Sequence, residues 1–175
     1  MDPLILQRPL PYAGRLDTRE PGEIDLLVIH CTELPDLNTA RVYGEKIHYE
    51  DTGTGNSGHY YVDRDGSVEQ WVDIAHVAHH ARSFNLRSIG IELVNTGRYP
   101  HWHHSARQRM TEPYPEVQLN ALQGLLRHLE HACPGLRFIT GHEELDREVL
   151  PSSDRPDVSI RRKCDPGPLF PWDQV

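Results

Sequence analysis

The sequence predicts a single α/β domain in which helices flank a mixed central β-sheet. Residues 24–29 form a near-continuous apolar run, which is typical of a central strand buried on both faces. Apolar residues recur with helical spacing over 115–133, and strand and helix patterns alternate along the chain. The length of 175 residues suffices for one domain with a proper core and leaves no room for a second enzyme-sized unit.

The N-terminal part is expected to hold an arm, the buried strand and one helix. Residues 1–22 are rich in Pro, Gly and Arg without a sustained period, so we expect an irregular arm ahead of a domain at 23–175. After the strand at 24–29, apolar residues recur at i, i+3 and i+7, which predicts a helix over about 38–50. The residues with this spacing are Ala40, Tyr43 and Ile47.

Three further strands are expected in the middle of the chain. β-Formers at 59–62 and 67–72 flank a glycine-bearing turn, which predicts a hairpin. Residues 88–94 predict another strand, in which alternate side chains share a face. One face would carry Ile89, Ile91 and Leu93, and the other Gly90, Glu92 and Val94.

The C-terminal part contains the strongest helical pattern of the chain. It lies at 115–133, with Pro115 in its first turn and a Pro-Gly pair after its end. A long polar loop is expected at 96–114, a short strand at 137–140, and another loop at 146–163.

Composition excludes several classes of protein. The net charge of −8, from 26 acidic and 18 basic residues, argues against a partner with a phosphate backbone, so no nucleic acid is expected. No apolar run approaches the roughly 20 residues of a membrane span, and the first residues lack a signal-peptide pattern, so a cytoplasmic location is expected. The cysteines lack the spacing of a disulfide framework, which predicts reduced thiols. They are Cys31, Cys133 and Cys164.

Two histidines stand where predicted strands end. His30 ends the apolar run, and His142 follows the strand at 137–140. Ligand sites of α/β sheets cluster at strand ends, because the sheet there directs side chains into an open crevice. A hydrogen-bonded histidine without a ligand is the alternative for each position, and the similarity of the two ends favours a shared site.

Three further side chains could complete a catalytic metal site. Two histidines and a carboxylate are an established ligand set for zinc, and Asp165 is the candidate carboxylate, although an Asp-Pro turn is the alternative. Glu92 lies within an apolar strand and could act as general base and then as acid. Lys163 lies two residues before Asp165 and could stabilise an oxyanion, or it could simply end a solvated basic run at 161–163.

Four segments of the chain resemble the signature segments of the AmpD/AmiD-type zinc amidases. These enzymes are N-acetylmuramoyl-L-alanine amidases of peptidoglycan, related in fold to the peptidoglycan recognition proteins. The hairpin at 57–66 also matches, and the resemblance runs from about residue 24 to 172, in the order of the family. The four segments are VIHCT at 28–32, SIGIELVN at 88–95, ITGHE at 139–143 and RKCDPGP at 162–168.

The resemblance implies a site and a reaction. It implies one zinc ion per chain, bound by His30, His142 and Asp165, with Glu92 as the catalytic acid/base and Lys163 as the stabiliser of the oxyanion. The implied reaction is hydrolysis of the amide between the lactyl group of N-acetylmuramic acid and L-alanine, in peptidoglycan or muropeptides. Cys164 could replace Asp165 as the third ligand, but the register of Lys163 and Pro166 favours Asp165.

Substrate contacts are the least determined part of the resemblance. Arg82 could pair with a carboxylate of the stem peptide, and His80 and Asn95 could bond to sugar or peptide. Family members often carry Trp-His-Ala-Gly ahead of the SIGIE segment, whereas residues 78–82 keep the histidine, as His80, but lose the aromatic residue and the glycine. This departure puts the substrate preference in doubt, and the loop at 146–161 is expected to form a wall of the groove.

Alternatives from other classes stay open at this stage. One is a peptidoglycan-binding module without catalysis, although such modules characteristically lose a metal ligand and this chain keeps all three. Another is a structural zinc site, which would need a fourth protein ligand such as Cys31 or Cys164. A zinc endopeptidase, a phage lysin or an exported enzyme would also share these features, and the sequence indicates no oligomeric state.

Overall fold

A six-stranded mixed sheet forms the centre of the protein. The structure is a computed structural model and describes residues 4–175. In chain order the strands are β1 (Ile5–Gln7), β2 (Leu26–Cys31), β3 (Tyr60–Val62), β4 (Val68–Gln70), β5 (Ser88–Leu93) and β6 (Phe138–Gly141). They are arranged as β1-β4-β3-β5-β2-β6, with β3 and β4 antiparallel and the other neighbours parallel. The predicted α/β fold with a mixed sheet is confirmed.

The buried strand β2 explains the apolar run at the start of the domain. It lies between β5 and β6, and all six of its residues are buried. A parallel strand covered on both faces needs apolar side chains in both directions. The predicted hairpin is also present, since Tyr60–Val62 pairs with Val68–Gln70, although both strands are shorter than expected.

Helices cover the sheet. They are α1 (Leu37–Gly44), α2 (Glu116–Ala132) and the short α3 (His142–Leu145). The leucines of α2 belong to the same core cluster as the predicted apolar face of β5. Leu122, Leu125, Leu129, Ile89, Ile91 and Leu93 are all fully buried. The apolar residues with helical spacing at 115–133 therefore form the face of α2 that packs on the sheet, and the predicted helix is confirmed.

Helix α1 is shorter than the predicted helix at 38–50. It ends at Gly44, whose carbonyl accepts a hydrogen bond from the Tyr12 hydroxyl at 2.7 Å. The backbone N–H groups of His48 and Tyr49 both donate to the carbonyl of Thr54, so the chain turns away from the helix. Ile47, expected on the buried face, is 47% exposed for this reason.

Two regions that were expected to be irregular contain strands. Ile5–Gln7 lies within the expected arm at 1–22 and pairs with β4 at the edge of the sheet. Val149–Pro151 (β7) and Ser159–Arg161 (β8) form a separate antiparallel hairpin within the expected loop at 146–163. Each strand has three residues, too few to show an alternating pattern. The proposed boundary between arm and domain near residue 22 stays a prediction.

A buried ion pair joins the chain after β2 to the loop after β5, and its guanidinium also binds the end of β8. Arg98 donates to both carboxylate oxygens of Glu33, at 2.6 and 2.8 Å, and its side chain is 1% exposed. The same guanidinium donates to the carbonyls of Arg161 and Arg162, at 3.0 and 3.2 Å. Glu33 follows His30 closely in sequence, so the pair fixes the segment that leads to Asp165 against the end of β2.

None of the helices formed by residues 4–175 combines the length and the apolar character that a bilayer crossing requires. All three cysteines are free: Cys31 and Cys133 are buried, and Cys164 is partly buried.

Replacing Arg98 by methionine should lower the free energy of unfolding by about 3–5 kcal/mol, because the buried carboxylate of Glu33 would lose its partner. Urea unfolding of the metal-free protein followed by tryptophan fluorescence measures the change. Arg87→Met is the matched control, since Arg87 pairs with Asp25 where its side chain is 45% exposed, and a much smaller change is expected. Equal losses in the two variants would contradict the role given to the Arg98–Glu33 pair.

Candidate active site

A cleft of about 720 Å³ opens where β2 and β5 end. The two strands are parallel, and their register places His30 directly beside Glu92. On the other side of Glu92, the pairing of β3 with β5 places Tyr61. All three residues line the cleft, because neighbouring positions of a sheet direct their side chains to the same face.

The pairing of β2 with β6 brings the second histidine to the first. Ile29 lies opposite Gly141, the last residue of β6. The next residue, His142, begins α3 and therefore lies beside His30. The two imidazole rings are 4.6 Å apart between centroids and meet edge to face. The expectation that these strand ends meet agrees with the structure.

Asp165 reaches the two histidines from the C-terminal segment. Its Oδ2 lies 2.9 Å from Nδ1 of His30 and 3.3 Å from Nδ1 of His142. One ligand atom from each of the three residues lies within 4.8 Å of the other two, and all three residues are buried. The three residues can therefore hold a metal ion.

The donor set fits such an ion in its chemistry. The second carboxylate oxygen of Asp165, Oδ1, is buried and has no hydrogen-bond partner. An unpartnered buried polar atom is costly unless another group satisfies it. Two imidazole nitrogens and a carboxylate are ligands that zinc takes, and a cation between them would satisfy this oxygen.

Close backbone approaches hold Asp165 in place. A Cβ atom at Gly141 would lie 2.7 Å from the Pro166 ring, so only glycine lets the C-terminal segment approach β6 this closely. The carbonyl of Asp165 accepts from the N–H of Glu143 at 3.0 Å, and that of Pro166 accepts from the Tyr114 hydroxyl at 2.7 Å.

Burial and the close contacts between these residues shift the pKa values of His30 and Asp165. Burial acts to raise the pKa of Asp165, but the neighbouring imidazoles of His142 and His30 outweigh it and hold the pKa well below its usual value. Burial lowers the pKa of His30 to about 4, against the opposing effect of Asp165. His30 is therefore neutral and Asp165 ionised near neutral pH, the states in which both residues bind metal.

Glu92 faces the three residues from β5. Its Oε1 is 3.9 Å from Nδ1 of His30, and its side chain is 15% exposed. Burial raises the pKa of Glu92 to about 8, with a further increase from the charge of Asp165 and an opposing effect of Lys163. A Cβ atom at Gly58 would lie 2.8 Å from the Glu92 side chain, so this glycine leaves room for it. A carboxyl group of this kind can both accept and donate a proton near neutral pH.

Lys163 lines the same cleft, whereas Cys164 does not. The group of residues 4–175 that can hold a metal contains no cysteine, which agrees with the choice of Asp165 over Cys164 and leaves a cysteine-closed structural site without support. The ammonium of Lys163 influences the pKa values of Glu92, His30 and Asp165, so its charge acts on the whole group.

The three residues expected to contact substrate occupy different places: two line the cleft and one does not. Arg82 lies at the rim of the cleft, where its exposed side chain pairs with Asp146 and Glu148. His80 lines the cleft, and both of its ring nitrogens face protein atoms. Asn95 is not brought to the cleft: it is 1% exposed, and its amide bonds the carbonyl of Glu112 and the N–H of Gly97.

Sequence reasoning missed the residues that position the site. Glu33, Arg98, Gly58 and Gly141 act through a buried contact or through the absence of a side chain. Neither property leaves a local pattern in the sequence. The contacts that define them join positions as far apart as 65 residues.

Comparison with known proteins agrees with this geometry. Residues 20–168 match the model of the family described as N-acetylmuramoyl-L-alanine amidase. The chain is 29% identical over 182 residues to the N-acetylmuramoyl-L-alanine amidase AmiD of Escherichia coli, covering 92% of this chain and 57% of AmiD. It is 27% identical to the 1,6-anhydro-N-acetylmuramyl-L-alanine amidase AmpD of Haemophilus influenzae, covering 88% of this chain and 82% of AmpD.

A solved structure gives the same fold. The N-acetylmuramoyl-L-alanine amidase LysC from Clostridium intestinale superposes with a TM-score of 0.67 at 20% identity, over 98% of this chain and 94% of LysC. The chain thus spans little more than half of AmiD and nearly all of LysC. The match over residues 20–168, together with the resemblance of the four segments, shows that this chain belongs to the N-acetylmuramoyl-L-alanine amidase family.

Proposed function

We propose that this chain is a zinc-dependent amidase that cleaves the bond between the lactyl group of N-acetylmuramic acid and L-alanine. The observation that carries the proposal is the buried group of His30, His142 and Asp165, which opens into the cleft beside Glu92. The free oxygen of Asp165 and the ionisation states of the group support a cation at this place. Membership of the family supports the choice of bond.

His30, His142 and Asp165 would hold one zinc ion per chain. When bound, zinc supplies Lewis acidity: it polarises a substrate carbonyl and lowers the pKa of a water molecule. Three protein ligands leave a coordination position open, as catalytic zinc sites require. The cleft beside the three residues would give a substrate access to an ion held there.

Glu92 moves the proton in this mechanism. Its carboxylate accepts a proton from the attacking water, whose oxygen bonds to the lactyl carbonyl carbon. The protonated carboxyl then donates to the amide nitrogen, and the C–N bond breaks. The new lactyl carboxyl group loses its proton, which the L-alanine amino group takes up, so the products are a lactyl carboxylate and an L-alanine ammonium group. The ammonium of Lys163 donates a hydrogen bond to the carbonyl oxygen as negative charge develops on it.

Arg82 is the candidate for recognition of the stem peptide. Its guanidinium lies at the rim of the cleft and is held by Asp146 and Glu148. A carboxylate of the peptide could replace one of these partners with little loss, because the side chain is 65% exposed. Peptidoglycan fragments are thus the proposed partners.

The proposed amidase could act on muropeptides released from the wall or on the intact wall. A cytoplasmic enzyme would act on muropeptides released from the wall, whereas a lysin would act on the intact wall. Assays with a soluble anhydro-muropeptide and with isolated sacculi distinguish the two. Faster release of L-alanine amino termini from the soluble substrate supports the cytoplasmic role, and the reverse preference contradicts it.

Replacing Glu92 by glutamine should lower kcat about 10²–10⁴-fold, because the amide cannot take up and deliver the proton. The assay is hydrolysis of a defined muramoyl-peptide, with the cleaved bond identified by mass spectrometry. Chelation should abolish cleavage, and added zinc should restore it. Glu130→Gln, on the exposed surface of α2, is the control and should retain wild-type activity.

Three results would contradict this account of the reaction. Cleavage within the stem peptide would assign an endopeptidase, and cleavage unaffected by chelation would exclude the metal. A zinc-loaded protein that binds the fragment without cleaving it would indicate a binding module.

Replacing Lys163 by methionine should lower kcat about 10²–10³-fold and leave KM nearly unchanged, because the lost hydrogen bond forms fully only in the transition state. Lys46→Met is the matched control, since Lys46 is the other of the two lysines and its ammonium lies over the Tyr43 ring. A raised KM with an unchanged kcat would instead assign Lys163 to substrate binding.

A further inference from the structure

His80 lies against the side of His30 that faces away from Asp165. The Nδ1 atom of His80 is 2.9 Å from the Nε2 atom of His30, whereas Nδ1 of His30 faces Asp165. On its other side, Nε2 of His80 is 3.2 Å from the Ser88 hydroxyl oxygen. The Ser88 hydroxyl in turn donates to the carbonyl of Phe84 at 2.8 Å.

This chain of hydrogen bonds has one consistent direction. Ser88 has a single hydroxyl hydrogen, and the carbonyl of Phe84 can only accept it. The oxygen of Ser88 therefore accepts from His80, which must carry its proton on Nε2. The Nδ1 atom of His80 is then the acceptor, and His30 must donate to it from Nε2.

The consequence falls on the other nitrogen of His30. With its proton on Nε2, a neutral imidazole presents a lone pair at Nδ1, and this atom lies 2.9 Å from Oδ2 of Asp165. Both atoms of this contact are then acceptors, so this tautomer is stable there when a cation lies between them. A metal ligand needs that lone pair. The chain from Phe84 to His30 therefore selects the tautomer that can bind a metal at this place.

The fold leaves space for the His80 ring and holds it. A Cβ atom at Gly90 would lie 2.6 Å from the ring, so any other residue at this position of β5 would displace it. The backbone N–H groups of His80 and Ala81 both donate to the Asn85 side chain, at 3.0 and 2.7 Å. The ring of His59 packs edge-on against His80, at 5.6 Å between centroids.

We propose that His80 is a positioning residue, which sets the tautomer and the ring orientation of His30 for metal binding. The inference rests on the proposed zinc site, and it gives His80 a role different from the substrate contact expected from the sequence. Partners of this kind typically change metal affinity about 10–100-fold when they are removed.

Two variants of similar size separate hydrogen bonding from packing. His80→Leu removes the acceptor. His80→Asn keeps one, because its Oδ1 is attached to Cγ as Nδ1 is in histidine. The zinc dissociation constant, measured by competition with a chromophoric chelator, should rise about 10–100-fold in His80→Leu and stay closer to wild type in His80→Asn. His131→Asn, on the exposed end of α2, is the control.

Nitrogen-15 NMR of the histidine rings gives a second readout in the unaltered protein. The zinc-loaded protein should show neutral His80 protonated at Nε2 and His30 protonated at Nε2. Ser88→Ala removes the group that fixes the His80 tautomer, so it should also weaken zinc binding. This variant serves if neither His80 variant folds.

The outcomes separate this inference from the proposed function. Wild-type zinc affinity in folded His80→Leu, asparagine no better than leucine, or His80 protonated at Nδ1 would overturn the role of His80 while leaving the amidase intact. A wild-type protein that binds no zinc would overturn both.

Discussion

The carboxylate of Asp165 lies out of solvent between two imidazoles, and an ionised group in such a place destabilises a fold unless opposite charge and hydrogen bonds compensate it. One of its oxygens is shared by His30 and His142, and the other has no partner. The protein holds this arrangement with the close packing of Pro166 on Gly141 and with the Arg98–Glu33 pair. Packing and buried hydrogen bonds therefore hold in place a carboxylate that a bound cation would compensate fully.

Parallel pairing explains why the reacting groups converge. Strand β2 has β5 on one side and β6 on the other, so residues at equal heights of three strands meet at one end of the sheet. The imidazole of His30 is held at this central position. Glu92 approaches it along β5, and His142 approaches it from the end of β6. Helix α2 packs against the opposite face of the sheet, on the apolar side chains of β5, and this packing holds the strands that carry the site.

The sequence predicts the elements and the residues whose pattern is local. The apolar run of β2, the alternation of β5 and the helical spacing of α2 are local patterns, and β-formers around a glycine-bearing turn indicate β3 and β4. Histidines at two strand ends indicate a common site. Strands β7 and β8 are too short for a period, and no pair of β-forming runs around a short turn marks them as the hairpin of β3 and β4 is marked. Helix α1 ends early because the Thr54 carbonyl and the Tyr12 hydroxyl bind backbone groups that a longer helix would pair internally. Asn95 is buried because its side-chain amide bonds the carbonyl of Glu112 in a loop. Such contacts depend on the folded chain.

Diffraction at the zinc absorption edge, from crystals of the zinc-loaded protein, tests the central claim most directly. We expect one strong anomalous peak within about 2.0–2.2 Å of Nδ1 of His30, Nδ1 of His142 and a carboxylate oxygen of Asp165. A peak elsewhere, for example at His104, whose Nδ1 lies 3.5 Å from Oδ2 of Asp154, would contradict it. A zinc ion closed by the sulfur of Cys164 would contradict it as well, because no position would remain open for catalysis.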